Sequence, residues 1–215
     1  MTGTLKENIR NDFSAGFHDN CIRLIGEACL DLKNKHIVTV DWDEENISAN
    51  ISTAINTSPN ALEWQIHVVS EVPLYDKEIL QGTKKAKSAK RVDLELGVWN
   101  ENYLTFSVEA KNLIQNKIIK NGCKKTIYPL TKQKRYIETG IDHYVSGYYP
   151  PNGCMLGYVL EGDISSIVSG INKIMKNKFS CTEKLYPQSC QFVGIDGYYV
   201  SHHTNLNLDH FFVKF

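Results

Sequence analysis

From Arg91 to Lys111 the chain reads RVDLELGVWNENYLTFSVEAK, two alternating segments around a polar centre. Alternation at period two sends successive side chains to opposite faces, so each segment is expected to be a strand with one apolar side. Asn100-Glu101-Asn102 is turn chemistry, which joins the two as a hairpin. With the turn centred on Glu101, residues equidistant from it face each other, Asp93 opposite Glu109 and Arg91 opposite Lys111. Asp93, Glu95, Glu109 and Lys111 then share one face. Val92, Leu94, Leu96, Leu104, Phe106 and Val108 are expected to fill the other.

Directly opposed residues of an antiparallel pair hold their Cβ atoms about 4.5–5.5 Å apart, and like charges there repel. Two carboxylates in that position need a counter-charge. A divalent cation is the most economical one, since Mg²⁺ is commonly held by one or two carboxylates with water and substrate phosphate. The competing reading is a half-exposed hairpin with a solvated polar face, which Glu95 shows to be possible.

Asp93, followed sixteen residues later by Glu109-Ala110-Lys111, resembles the D…(D/E)xK signature of the PD-(D/E)xK nucleases, the restriction-endonuclease-like superfamily. Val92 stands where that signature usually has proline. The resemblance covers roughly Val40 to the C-terminus, with only these few positions specific. It implies an α/β fold, a restriction-endonuclease-like mixed central sheet flanked by helices. It also implies a site in which Asp93, Glu109 and the backbone carbonyl of Ala110 hold Mg²⁺, with Mn²⁺ as a substitute. In that superfamily a Glu of the first core helix often completes the metal site. Glu44 is the choice here, with Glu45 close behind. Lys111 would orient water or offset charge in the transition state, and Gln133 is a weaker catalytic candidate because only Gln133-x-x-Tyr136 is present.

The 215 residues are long enough for one nuclease-like domain over 1–215, opening with a helical segment at about 1–35. A hydrophobic content of 42% marks a folded chain rather than a disordered one. The six cysteines, at 21, 29, 123, 154, 181 and 190, include no CxxC pair. That disfavours a zinc ribbon and fits reduced thiols in a cytoplasmic protein. Neither a signal peptide nor an apolar run near the ~18 residues of a membrane span occurs.

Net charge is zero, yet its distribution is uneven. Thirteen of the 24 basic residues fall between Lys84 and Arg135, with only Asp93, Glu95, Glu101 and Glu109 as acids. Basic stretches therefore flank the acidic centre, the layout needed to hold a phosphate backbone over a metal. Lys84, Lys85, Lys87, Lys90 and Arg91 are the candidate nucleic-acid contacts, against the plainer reading of a solvated lysine-rich loop.

Elsewhere, Phe13, Phe17, Cys21, Leu24, Ala28 and Leu32 predict a helix from Leu5 to Leu32, with Gly16 and Gly26 as points of weakness. Ile47, Ile51 and Ile55 predict a second helix after Asp41-Trp42-Asp43-Glu44-Glu45, whose acids also suit a helix N-terminus with no further role. Trp64–Val72 predicts a strand ended by Pro73, and Gln81–Lys90 a mobile loop. Asn121-Gly122 reads as a flexible connection to a helix over about Leu130–Ser146, from which Lys132, Gln133 and Arg135 could face the site. Tyr144, Tyr148 and Tyr149 read as core aromatics. Met155–Leu160 predicts a buried strand, and Asp163 caps a helix to about Lys178. Gly197–His203 and Leu208–Phe215 predict two closing strands. Ser201, His202, His203 and His210 match no zinc spacing and no Ser/His/Asp order, so structural or substrate-edge roles are expected.

The function expected is metal-assisted phosphodiester hydrolysis, of DNA more than RNA, with restriction or phage defence suggested by the resemblance alone. Loops, a homodimer or a partner protein would supply specificity, since no recognition module is evident. The expectation is that alanine at Asp93, Glu109 or Lys111 abolishes cleavage and leaves the fold intact. The alternative is a non-catalytic nucleic-acid-binding or complex-forming protein that keeps the fold. A nucleotide-dependent metabolic enzyme lacks support, with no GxGxxG and no GxxxxGK[ST].

Overall fold

The Arg91–Lys111 segment forms the hairpin its alternation demands. In the computed structural model, which describes residues 3–98, 103–122, 124–178 and 183–215, Lys90–Val98 and Leu104–Ile114 are antiparallel strands. Their ladder runs from Leu94↔Val108 to Val98↔Leu104, the register centred on Glu101. The turn itself, Asn100-Glu101-Asn102, lies outside the described residues.

In chain order the helices are α1 Gly3–Asn34, α2 Glu44–Asn56, α3 Pro59–Glu63, α4 Lys77–Leu80, α5 Pro129–Tyr136, α6 Asp142–Val145 and α7 Ile164–Lys178. The strands are β1 Ile66–Leu74, β2 Lys90–Val98, β3 Leu104–Ile114, β4 Ile118–Lys120, β5 Lys125–Ile127, β6 Gly153–Glu161, β7 Tyr186–Gln188, β8 Gly197–His203 and β9 Leu206–Lys214. Seven of them form one mixed sheet in the order β1-β2-β3-β6-β9-β8-β7. Strands β3, β6 and β9 run parallel in its centre, and the flanking pairs are antiparallel. Parallel neighbours need a crossover, which α5–α6 supplies before β6 and α7 after it. The architecture is mixed α/β.

Helices cover both faces. On one, Cys21, Leu24, Ile25, Ala28 and Leu32 of α1 and Ile47, Ile51 and Ile55 of α2 pack on Leu94, Leu96, Phe106, Val108, Leu156 and Phe211. On the other, Tyr136, Ile137, Ile141, Tyr144, Ile167 and Ile171 pack on Leu113, Met155, Val159 and Phe212. Strands β3 and β6 are thus buried on both faces, as parallel central strands must be. The side chain of Phe13 lies outside the described ones, but the rest of the predicted α1 stripe is buried. Helix α1 is continuous through Gly16 and Gly26. At Gly26 a Cβ would lie 2.2 Å from the Val193 carbonyl oxygen, so glycine there lets another segment approach rather than breaking the helix.

Several expectations are corrected. Pro73 does not end β1 but pairs with Arg91 within it. β1 is an edge strand, where the missing N–H of proline removes no ladder bond on the open side. Val92 belongs to the α5–α7 core rather than to the face of Leu94. Opposite, Glu71 adopts φ 56° and drops out of the ladder between Ser70↔Leu94 and Val72↔Val92, and the switch of face falls at this kink. The supposed flexible connection through Asn121-Gly122 is a β-ribbon, β4 pairing with β5. The helical stretch after it is interrupted by a π-turn at Ile137–Ile141. Within Gln81–Lys90 a short 3₁₀ turn spans Ala86–Ser88.

Candidate active site

Where the β2–β3 ladder stops, the carboxylate of Asp93 takes over its hydrogen bonding. Asp93 Oδ2 accepts from the Ala110 amide at 2.6 Å, which aims the carboxylate at the stretch Glu109-Ala110-Lys111. The alternation of β3 puts Glu109 and Lys111 on the α5–α7 face. There the Lys111 ammonium donates to Glu109 Oε1 and to the Ala110 carbonyl (2.9 Å), and stands 3.7 Å from Asp93 Oδ2. The three oxygen groups that the sequence assigned to a metal thus converge on one cation. Here that cation is an ammonium.

Burial makes this cluster costly. Glu109 is 4% exposed and Lys111 5%. Desolvation pushes the Glu109 carboxyl up to about 7 against the pull of Lys111, with Asp93 adding in the same direction. Asp93 is also raised, burial outweighing Lys111 and the Ala110 amide. For Lys111 burial works against the charge, but Glu109 and Asp93 outweigh it and its pKa rises. Glu109 Oε2 is buried and lacks a well-formed hydrogen bond. The Tyr149 hydroxyl lies beside Glu109, near enough to help hold it as an anion, while its well-formed bond goes to the Arg91 carbonyl at 3.3 Å. An orphaned carboxylate oxygen in a set of hard oxygen donors fits a small hard cation such as Mg²⁺. Among the described residues, however, no three His, Cys, Asp or Glu side chains are grouped closely enough to hold a metal by themselves. A cation here would rely on Asp93, Glu109, the Ala110 carbonyl and water.

Glu44 opens α2 immediately after its N-cap, Asp43. Its Oε1 accepts from the Asn112 amide (3.0 Å) and from Lys132 (3.1 Å), and Oε2 is 3.7 Å from Arg135. Burial raises its pKa, but Lys132, Lys111, the Asn112 amide and Arg135 together lower it, so Glu44 is held as an anion. Its charge is felt by both Asp93 and Lys111. The structure therefore brings Glu44 to the site as the sequence proposed, though as the holder of two cations from α5. Glu45 is exposed beside it.

Gln133 does not join them. Its amide packs against α7, filling the space where a Cβ on Gly170 would be, 2.6 Å from both amide atoms. Rotation along α5 sends Lys132 and Arg135 toward Glu44 and Gln133 to the helix–helix contact. Of the proposed phosphate contacts, Lys84 pairs with Asp76 at 2.6 Å, and Lys90 lies 3.9 Å over the Tyr148 ring and 3.1 Å from His143. Arg91 faces Glu71 at 3.7 Å. Lys85 and Lys87 are exposed. The sequence did not point to Tyr149 or to Gly140. At Gly140, in the π-turn, a Cβ would lie 2.3 Å from the Met155 methyl and 3.9 Å from Glu109 Cγ.

At the histidine-rich end of the sheet, Ser201, His203 and His210 form a hydrogen-bonded chain, with His202 exposed. The Tyr136 hydroxyl meets His210 Nδ1 (2.9 Å), and His210 Nε2 meets Ser201 Oγ (2.8 Å). Ser201 Oγ in turn meets His203 Nε2 (2.9 Å), whose Nδ1 meets Glu183 (2.9 Å). With His210 held neutral by burial, the Tyr136 hydroxyl donates to its Nδ1 and its Nε2–H donates to Ser201 Oγ. Ser201 and His210 have no solvent exposure, so no substrate reaches them. Cys21, Cys29 and Cys154 are free and buried, Cys190 is free and exposed, and Cys123 and Cys181 lie outside the described residues.

Compared with known proteins, the chain matches no family model, no curated sequence and no solved structure. Among the described residues no helix is long and apolar enough to cross a membrane.

Proposed function

We propose that the protein is a metal-dependent nuclease of the PD-(D/E)xK kind, with a restriction-endonuclease-like sheet, acting on nucleic acid and on DNA in preference to RNA. One observation carries the reading. Asp93, Glu109 and the Ala110 carbonyl meet at a single buried cation position on the central sheet, with Glu44 alongside. One carboxylate would suffice to neutralise Lys111, so a second beside it, with its Oε2 lacking a well-formed hydrogen bond, is costly in a purely structural ion pair.

Asp93, Glu109 and the Ala110 carbonyl would hold Mg²⁺ or Mn²⁺, which supplies Lewis acidity toward a phosphoryl oxygen and lowers the pKa of bound water. Lys111 keeps its positive charge throughout. Released from Glu109, it donates to the attacking water or to the developing negative charge on the phosphate. Glu44 gathers Lys132 and Arg135 beside the carboxylates and so offsets the repulsion between an acidic pocket and an anionic backbone.

A second reading draws on a different observation. Lys111 fills the cation position, and among the described residues no three His, Cys, Asp or Glu side chains are grouped there. A permanently occupied position would make the chain a non-catalytic nucleic-acid-binding protein with the same fold.

Incubation of wild type with plasmid, linear duplex, single-stranded DNA and RNA in Mg²⁺, Mn²⁺ or EDTA separates the two. Asp93→Asn keeps an oxygen for the Ala110 amide but removes the charge, so it is the cleaner variant. Lys111→Ala leaves two buried carboxylates without a counter-charge and so disturbs the fold as well. Metal-dependent cutting, lowered about 10²-fold or more in Asp93→Asn, is expected. Full activity of that variant, or cutting in EDTA, would remove the proposal.

A further inference from the structure

The β4–β5 ribbon stands outside the seven-stranded sheet, directly after the β3 strand that carries Glu109 and Lys111. Its turn end is pinned to the approach to Glu44. Lys120 donates to the Asp41 and Trp42 carbonyls (both 3.1 Å) and to Asp43 Oδ1 (2.7 Å), and the Asn121 amide donates to Asp41 Oδ1 (2.7 Å). Lys120 is nearly buried by these contacts, so it anchors the ribbon instead of binding anything outside. The acids next to the ribbon, Asp41 and Asp43, are the ones these contacts engage.

What the ribbon turns outward has one sign. Lys117, Lys124 and Lys125 are exposed, and Lys134 and Arg135 continue the charge onto α5. No acidic residue occurs from Ala110 to Ile137. Between the cations lie exposed Ile119 and Tyr128, the tyrosine with Lys117 5.8 Å from its ring centre. Cations interleaved with an exposed aromatic ring are the surface chemistry of a polyanion carrying stackable rings. A two-stranded ribbon is also one of the elements that enter a DNA groove.

We propose that the β4–β5 ribbon is a nucleic-acid grip, in which Lys117, Lys124 and Lys125 contact phosphates and Tyr128 packs on sugar or base, presenting the strand to Asp93 and Glu109. The proposal deepens the nuclease reading by naming how substrate is held. Its contacts are separate from Lys84–Arg91, three of whose cations have partners within the chain.

The test is equilibrium binding of a labelled short DNA duplex, its single strand and the matching RNA in EDTA, across a salt series. It compares wild type, Lys117→Gln/Lys124→Gln/Lys125→Gln, and Lys173→Gln/Lys176→Gln, which removes exposed charge from α7. All substituted positions are exposed, and an unchanged melting temperature checks that the ribbon variant folds. Each lysine–phosphate contact adds about 0.9 to the slope of log K against log salt for duplex DNA. The ribbon variant is expected to lose about 2–3 from that slope, with its weakening largest at low salt, while the α7 variant keeps the wild-type slope. Tyr128→Ala should weaken binding without changing the slope. A ribbon variant with unchanged affinity and slope would overturn the proposal, as would wild type that binds no nucleic acid or binds only anionic vesicles. Because binding is read without metal, ribbon-dependent binding with no cutting in Mg²⁺ would sink the nuclease reading alone. Cutting and binding that both ignore the ribbon would sink the grip alone.

Discussion

Replacing Lys111 with methionine should destabilise the protein strongly at neutral and alkaline pH, weakly in acid, and less again when a divalent cation is present. The side chain is 5% exposed and its ammonium serves Glu109, the Ala110 carbonyl and Asp93. Methionine keeps the volume and removes the charge. Taking one partner from a buried ion pair costs about 3–5 kcal/mol, because the remaining charge has no solvent and no counter-ion. For a chain of this length each kcal/mol moves the melting temperature by about 2–4 °C, so a fall of about 6–20 °C is expected in EDTA at about pH 8. The sign of the pH effect follows from Glu109. Its folded pKa lies above its unfolded value, at about 7, so its contribution is most favourable below about 4.5 and is lost as pH rises through about 7. Without Lys111 that pKa rises further, and near pH 5.5 the neutral acid needs no counter-charge, so the gap to wild type narrows. Saturating Mg²⁺ or Mn²⁺ should restore part of the loss at about pH 8, about 2.7 kcal/mol at a hundredfold excess over Kd. Thermal unfolding followed by circular dichroism reads all three. A variant as stable as wild type in EDTA, or one with the same deficit at both pH values, would refute the electrostatic account. A variant that metal does not stabilise would refute the cation site.

Two further perturbations follow from the packing. Gly153→Ala places a Cβ 2.1 Å from the Ser107 carbonyl oxygen, backbone that cannot yield, whereas Gly140→Ala meets the terminal methyl of Met155, which can turn aside. Gly153→Ala should therefore cost about 1–3 kcal/mol, and more than Gly140→Ala, in parallel urea titrations. His210, fully buried, has its pKa pushed down to about 3 by desolvation. For a base lowered in the folded state the stabilisation is present above about 6.5 and is lost as pH falls toward about 3, because only the unfolded chain takes up the proton. Wild-type urea midpoints should fall between about pH 6.5 and 4, and His210→Gln should flatten that limb; an unchanged limb would place the acid sensitivity elsewhere.

The hairpin was legible in the sequence because a period of two leaves a one-residue slip no way to bury Leu94, Leu96, Phe106 and Val108 together. The register then brought Asp93 toward Glu109 without further information, and helical spacing was enough to set α1, α2 and α7. Glu44 was chosen through a family resemblance, and its position ahead of Ile47 on α2 carried it to the site. The ribbon could have been found: Asn121-Gly122 sits between β-branched pairs, Ile118-Ile119 and Thr126-Ile127, and that is a hairpin pattern. Gln133 could not have been placed, since one residue of rotation on α5 decides between the carboxylates and Gly170.

What the sequence by itself determined is therefore local: strand and helix periods, the hairpin register, and the gathering of basic residues around two acids. Only the tertiary structure decided that Lys111 occupies the shared cation position, that Glu44 is engaged by Lys132 and Arg135, and that Ser201, His203 and His210 form a closed hydrogen-bond chain instead of a catalytic one. The physical reason is that these contacts join segments far apart in the chain, and their energies depend on burial. Glu109 next to lysine in sequence is an ordinary charged strand. Beneath α5 and α6, with water removed and one oxygen lacking a well-formed hydrogen bond, its charge depends on the Lys111 ammonium.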